Sequence, residues 1–275
     1  VGAAAAETRF RKAQSLFEET LGKEHIYVGM ILFERARRLD RLHNDAEAEE
    51  CYRGSLTVAR KTVQLQHPRI RLLAREYGQF LVRHDRAEEA ISIWEDFLKA
   101  QETRFGQESP FYADALVSFS AMQSTMGNDD KAEQLLRRAL GIMKKTARPI
   151  RLTYLEAECD LGLLLLDKKE KIEEAESLLR NASVGVEERF GRVSRETADL
   201  QVGIARAAIE QGEMEEAEAL LRTAETIGGS LIGRDRRLAL DYVYWWKSRL
   251  FRRLKRPVAA AEAIQSMAEL WPSDS

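Results

Sequence analysis

The sequence predicts an all-α protein built as a stack of antiparallel helix pairs, and two observations predict it. A phrase made of a breaking turn and then an amphipathic run, clearest at 126–140, returns along the whole chain. Its alanines, Ala6, Ala48, Ala90, Ala132, Ala175, Ala217 and Ala261, are separated by 42, 42, 42, 43, 42 and 44 residues. Composition agrees: Ala, Leu, Glu and Arg dominate, 32% of residues are charged and only 5 are proline. A steady period of this length marks units that bury their apolar faces against neighbours, so no central core has to grow with the 275-residue chain.

Each element follows from that phrase. A first helix is expected over about 3–20, with Ala6, Phe10, Ala13 and Phe17 on one side at helical spacing. By phase it is the second half of a repeat, a half repeat or cap over 1–25, as expected of a chain cut from a longer protein. Full repeats follow at 26–67, 68–109, 110–149, 150–193 and 194–235, and 236–275 makes a final repeat or cap, so that 1–275 is one array of about 13 helices. Pro68 and Pro110 share a phase, and each suits the first turn of the helix it opens, where a missing N–H costs nothing. In 126–140, Gly127 and Asn128 break the chain and Asp129 or Asp130 is expected to cap. The 43-residue step implies one extra residue near 167–171.

Small and large side chains also recur in phase. Ala36, Gly78, Ser120, Gly162 and Ala205 fall where two helices must approach closely. Tyr52, Trp94, Leu136, Leu179 and Leu221 stand four residues after the recurring alanine and would plug the space between helices. Ser55, Phe97, Ala139, Ala182, Ala224 and Ala268 follow three residues later. This order of small residue, turn glycine, alanine, bulky residue and alanine resembles the tetratricopeptide repeat (TPR). The 42-residue period, with Leu21-Gly22-Lys23-Glu24-His25 echoed by Phe105-Gly106-Gln107-Glu108-Ser109-Pro110, by Phe190-Gly191 and by Ile232-Gly233, resembles the kinesin light chain type. Phe97 departs from the pattern where a small residue is usual. Gln64 and Arg148 replace the loop glycine, and Gln265 takes the bulky position of a poorly registered last repeat. The resemblance implies a right-handed α-solenoid, a TPR superhelix whose concave wall is lined by the first helix of each pair. It also implies protein binding, with short cargo peptides read by arrays of the kinesin light chain type.

The totals exclude several classes. The formal net charge of −2, from 43 basic and 45 acidic side chains, speaks against a nucleic-acid binder working through bulk charge. Cys51 and Cys159 lie in different repeats, too few and too far apart for a disulfide framework or a metal site, and read as small buried hydrophobes. No apolar run reaches the length of a membrane helix and no signal peptide is seen at the start, so a cytoplasmic protein with no membrane association is expected. Gly228-Gly229-Ser230-Leu231-Ile232-Gly233-Arg234-Asp235 fails as a phosphate loop, because Arg234 and Asp235 stand where Lys and Ser or Thr are needed; its glycines are expected in the repeat's own loop. His25, His43, His67 and His84 sit near helix ends without metal-ligand spacing. No catalytic residue, cofactor, metal or small-molecule substrate is expected, and the protein is read as no enzyme.

Two dense segments remain. The basic run Arg252-Arg253-Leu254-Lys255-Arg256 reads as a helix C-terminus before Pro257, where cations offset the helix dipole. The aromatic run Tyr242, Tyr244, Trp245 and Trp246 reads as packing that closes the last repeat, with an exposed aromatic platform for a partner as the alternative. Counting from the alanine register, the groove side of the first helices includes Phe33, Arg37, Arg75, Gln79, Asp114, Val117, Arg206 and Tyr244. Arg37, Arg75 and Arg206 are the expected anchors for an acidic peptide, since guanidinium pairs with carboxylates bidentately. The function expected is a scaffold that binds another protein, as peptide or helix, in the groove. A regulatory TPR region of a larger enzyme, such as a caspase-like protease or an NTPase switch, is the alternative, and an RNA-binding helical array is a weaker one.

Overall fold

The computed structural model describes the backbone of residues 2–62, 68–146 and 151–271. Among these residues it holds thirteen α-helices and no strand. They fall into two compact units, Val1–Ile150 and Arg151–Ser275. The first contains α1 (Gly2–Leu21), α2 (Ile26–Arg41), α3 (Asp45–Lys61), α4 (Pro68–Arg83), α5 (Ala87–Phe105), α6 (Pro110–Thr125) and α7 (Asp129–Lys145). The second contains α8 (Arg151–Lys168), α9 (Ile172–Phe190), α10 (Arg195–Gln211), α11 (Met214–Ser230), α12 (Gly233–Arg253) and α13 (Pro257–Glu269). Gln64, His67, Arg148 and Ile150 lie outside the described residues, as does the side chain of Ala6.

One turn closes every pair. The chain swings into the left-handed region at His43, Asp85, Gly127, Lys169, Gly212 and Lys255, with φ between 54° and 88°. The next residue's N–H then returns to a carbonyl five residues back: Asn44 to Leu39, Arg86 to Leu81, Asn128 to Gln123, Glu170 to Leu165, Glu213 to Ala208 and Arg256 to Phe251, all at 2.9–3.0 Å. That bond satisfies the last helical carbonyls and fixes the direction in which the second helix leaves. The cap expected at Asp129 or Asp130 is displaced by one residue. Asn128 is the N-cap, without a side-chain cap bond, and Asp129 is the first residue of α7. Between repeats, His25, Ser109 and Ser194 do cap with their side chains, accepting the N–H of Tyr27, Tyr112 and Thr197 at 3.3, 3.1 and 3.2 Å.

The two irregular steps have local causes. After the usual turn at Lys169 and Glu170, Lys171 is inserted as a second left-handed residue, φ 50°, and caps α9. This is the extra residue expected at 167–171. In the last pair the register differs from the expectation. Ala261 is exposed, whereas Ala260 and Ala263 are buried. The turn at Lys255 follows Gly212 by 43 residues, so Ala260 is the true counterpart of Ala217 and Ile264, not Gln265, takes the bulky position. A second correction concerns Gly228, Gly229 and Ser230, which form the last turn of α11 rather than a loop. A Cβ on Gly228 would come 3.0 Å from Leu240 of α12, so the glycine there serves close helix packing.

The small and large positions pack as their phase requires. Ala48, Ala90, Ala132, Ala175 and Ala217 are at most 1% exposed, and Tyr52, Trp94, Leu136, Leu179 and Leu221 at most 2%. Two of the plugs also reach the following pair: Tyr52 stacks on Tyr77 at 5.0 Å, and Trp94 stacks on Phe119 at 5.8 Å. Phe97 is accommodated edge-on against Trp94 at 5.7 Å, so the bulky departure extends the aromatic core. At Gly162 a Cβ would lie 2.8 Å from Leu179 and 3.1 Å from the Ala175 carbonyl, which is why no larger residue fits.

Within each unit the first helices form a layer of their own. α4 touches α2 and α6, and α10 touches α8 and α12, whereas among the described residues no such contact joins α3 to α5, α5 to α7, α9 to α11 or α11 to α13. Helices that sit closer on one side than on the other curve the layer toward the closer side. First helices therefore line the inner face of each unit.

Candidate functional site

The positions read as groove-lining fall in three phases of the repeat. Phe33, Arg75 and Val117 are separated by 42 residues, and Cys159 continues the series. Arg37 and Gln79 lead in the same way to Ala121 and Leu163, and then to Arg206 after the 43-residue step. Asp114 leads to Glu156 and Asp199.

In the first unit these phases give an apolar floor under a belt of paired charges. Phe33 and Val117 are 4% and 5% exposed, so they support the face from below. Arg37 lies over the Phe33 ring at 5.6 Å and pairs with Glu34 at 3.3 Å and Glu76 at 3.7 Å. Arg75, about half exposed, pairs with the same Glu76 at 3.1 Å, and Gln79 beside it is exposed. Arg71, a position absent from the sequence expectation, reaches across to Asp114 at 3.4 Å and donates to Ser118 Oγ at 3.2 Å. Such pairs, partly exposed to solvent, are individually weak and open to exchange with a partner's carboxylates.

In the second unit Arg206 is only 8% exposed. It pairs with Asp167, donates to the Tyr242 hydroxyl at 3.1 Å and lies over the Trp246 ring at 4.8 Å. Internal partners thus hold this guanidinium between α8, α10 and α12. Tyr244 is half-buried beside Lys247, whose ammonium is 5.8 Å from its ring. The 43-residue step in the last pair carries Val202's phase to Trp245, which is exposed. Two arginines of the basic run have partners nearby. Arg253 donates to the Ile209 carbonyl at 2.7 Å and to Glu210 at 3.0 Å, and Arg256 pairs with Glu218 at 3.1 Å.

The same phases open a cavity of about 650 Å³ on the inner face of the second unit. Leu152, Leu155, Cys159 and Leu163 of α8 supply one wall, Leu200 of α10 and Leu238 of α12 the other, and Leu179 of α9 the floor. Among the described residues, four carboxylates, Glu156, Asp160, Glu196 and Asp199, line it with one guanidinium, Arg195, which is 3.3 Å from Asp199. The cavity surrounds Asp160 with protein on most sides while its side chain still meets solvent; that burial, with Glu156 nearby, pushes its carboxyl up to about 6. Burial likewise raises Asp199 to about 6, Arg195 opposing the shift and Glu196 and Asp235 adding to it. The Cys159 thiol, pushed up to about 12 by burial and by the neighbouring carboxylates, stays protonated and lacks the character of a nucleophile. Among the described residues no group of three or more His, Cys, Asp and Glu side chains is placed to hold a metal ion, and no helix is long and apolar enough to cross a membrane. Sequence reading passed over Asp160 and Glu196, yet Glu156 and Asp199 were findable, since they repeat the phase of Asp114.

No family profile and no curated protein matches the chain. Solved structures do. The nearly identical TPR-like repeats of a kinesin light chain from Podosopora anserina superpose with a TM-score of 0.58 at 21% identity, over 74% of this chain and 96% of that one. PilW, a type IV pilus biogenesis factor, gives 0.59 at 15% identity over 90% and 96%. Aspartyl phosphate phosphatase F from Bacillus subtilis gives 0.63 at 16% identity over 98% and 70%. The chain therefore has the tetratricopeptide-repeat fold, an α-solenoid of helix pairs, and shares it with repeats of the kinesin light chain type.

Proposed function

We propose that the protein is an interaction scaffold without catalysis of its own, and that it holds an extended peptide or a helix of another protein against the inner, first-helix face of a unit. The observation that carries this reading is the layer of first helices. It is continuous within each unit, it is backed by the second helices, and it presents charged side chains at recurring phases of the repeat. A preformed face of that kind orders a partner segment without having to order itself. In the first unit Arg37 and Arg75, with Gln79 between their turns, are proposed to take the carboxylates of an acidic segment, exchanging Glu34 and Glu76 for the partner's groups. Phe33 and Val117 hold the face in shape from beneath. Arg206 positions α10 against α12 and leaves Tyr244 and Trp245 at the edge of the corresponding face. The free thiols of Cys51 and Cys159 suit a reducing, cytoplasmic setting.

Photo-crosslinking tests the placement. Peptides selected on the intact chain from a random displayed library, carrying a photoreactive group, are expected to label α2, α4, α6, α8, α10 or α12. Labels confined to α3, α5, α7, α9, α11 and α13 would show that the face is wrongly assigned.

A further inference from the structure

The cavity of the second unit differs in chemistry from the inner face of the first, and it names a partner. Its walls come from α8, α9, α10 and α12, and they are leucine and other apolar side chains down to Leu179, which is fully buried. On α8 the lining positions fall at i, i+3, i+4, i+7, i+8 and i+11 from Leu152, a single helical stripe that is apolar except for Glu156 and Asp160. A volume of about 650 Å³ lies within the range of clefts that enclose ligands, and such clefts combine apolar walls with a few placed polar groups. Acidic groups predominate among the described charged residues. Four carboxylates line the cavity, and the one guanidinium among them already pairs with Asp199.

We propose that this cavity seats an apolar side chain of a partner protein segment whose neighbouring residues are Lys or Arg. The inference rests on the scaffold reading and assigns the second unit a cationic partner segment, distinct from the acidic one proposed for the first. Charge complementarity selects it: an acidic segment would place like charges against Glu156, Asp160, Glu196 and Asp199, a repulsive juxtaposition, whereas Lys or Arg would relieve Asp160 and Asp199, whose ionisation the cavity itself opposes. Acidification should weaken the complex. The groups facing the carboxyls of Asp160 and Asp199 are Glu156 and Cys159 of α8, Arg195 and Glu196 of α10, and Asp235 and Tyr242 of α12. The pKa values of Asp160 and Asp199 are carried to about 6, so their protonation between pH 7 and pH 5 weakens the attraction at the rim.

The experiment pans a random displayed peptide library against the intact chain and against its D160N/D199N variant, then measures each recovered peptide by fluorescence anisotropy. Far-ultraviolet circular dichroism checks that the variant keeps its helix content. Peptides with Leu, Phe, Met or Trp flanked by Lys or Arg are expected, and their affinity should fall tenfold or more in D160N/D199N and fall again in the intact chain between pH 7 and pH 5. E196Q, at an exposed position, supplies a second rim variant with the same expected direction. Basic peptides that bind D160N/D199N and E196Q as tightly as the intact chain would overturn the proposal. Recovery of acidic peptides alone, sensitive to R37E/R75E and indifferent to D160N/D199N, would overturn it too while leaving the scaffold reading in place.

Discussion

At the level of single residues, backbone geometry and burial make opposite demands on the same repeat positions. The left-handed turn is filled by glycine at Gly127 and Gly212, but by His43, Asp85, Lys169 and Lys255 elsewhere. A non-glycine residue there costs about 1–2 kcal/mol, because its Cβ crowds the following carbonyl. Lys169→Gly should therefore raise the urea midpoint by the equivalent of about 1 kcal/mol, and Gly127→Ala, with open space around its Cβ, should lower it by a similar amount through strain alone. At Gly162 space rather than conformation decides. Gly162→Ala should destabilise by about 1–2 kcal/mol in chemical denaturation, since the Ala175 carbonyl cannot move aside as a side-chain tip could. The cavity aspartates behave differently again. Their pKa values are raised above the ordinary carboxylate range, so the folded state binds protons more readily than the unfolded chain between about pH 4 and pH 6. Stability from this source falls as pH rises through that window. Asp199→Asn should accordingly raise the melting temperature at pH 7 and leave it unchanged near pH 4.

At the level of elements, the helices and their order were legible because the period is long, repeated and marked by alanine at a fixed phase. What escaped was local. The register of α13 went to Ala261 because the sequence offers Ala259, Ala260, Ala261 and Ala263 together, and only the turn at Lys255 decides among them. The ion pairs between repeats also escaped, for their partners lie 36, 37 or 43 residues apart: Arg60 with Asp96, Lys61 with Glu24, Arg83 with Asp40. No helical periodicity links such positions, since the link is the packing of one pair on the next. Most are exposed and should be worth little; Arg60→Ala is expected to cost no more than about 0.5 kcal/mol. Arg35 is the exception. It is buried under α1, donating to Glu7 at 2.7 Å and to Gln14 at 2.6 Å. Burial alone would raise the Glu7 carboxyl, but hydrogen bonds from Arg11 and Arg35 outweigh it and hold Glu7 below its usual range. Arg35→Ala should cost about 3 kcal/mol and expose α1 to hydrogen exchange before the rest of its unit.

At the level of the molecule, fold and function were unequally readable. Phase proposes which residues share a face, because a residue that faces one way in one repeat faces the same way in the next. It could not say which inward side chains remain available. Arg206 has the right phase for an anchor, yet Asp167 of α8 and Tyr242 and Trp246 of α12 converge on it. Glu156 and Asp199 have the phase of Asp114 and meet around a cavity that no single helix encodes. Charge balance over the whole chain, −2 in 275 residues, conceals faces of unlike character: paired arginines and carboxylates in one unit, a carboxylate rim over leucines in the other. Both belong to first helices, and that assignment is the centre of the account. It is tested most directly by measuring, with anisotropy, the affinity of one selected peptide for the intact chain, for first-helix variants R37E/R75E and D160N/D199N, and for second-helix variants R222E and R53E at exposed positions of α11 and α3. A loss of tenfold or more in one of the first-helix variants, with both second-helix variants within twofold of the intact chain, is the predicted result. Loss in R222E or R53E, with both first-helix variants unaffected, would contradict it.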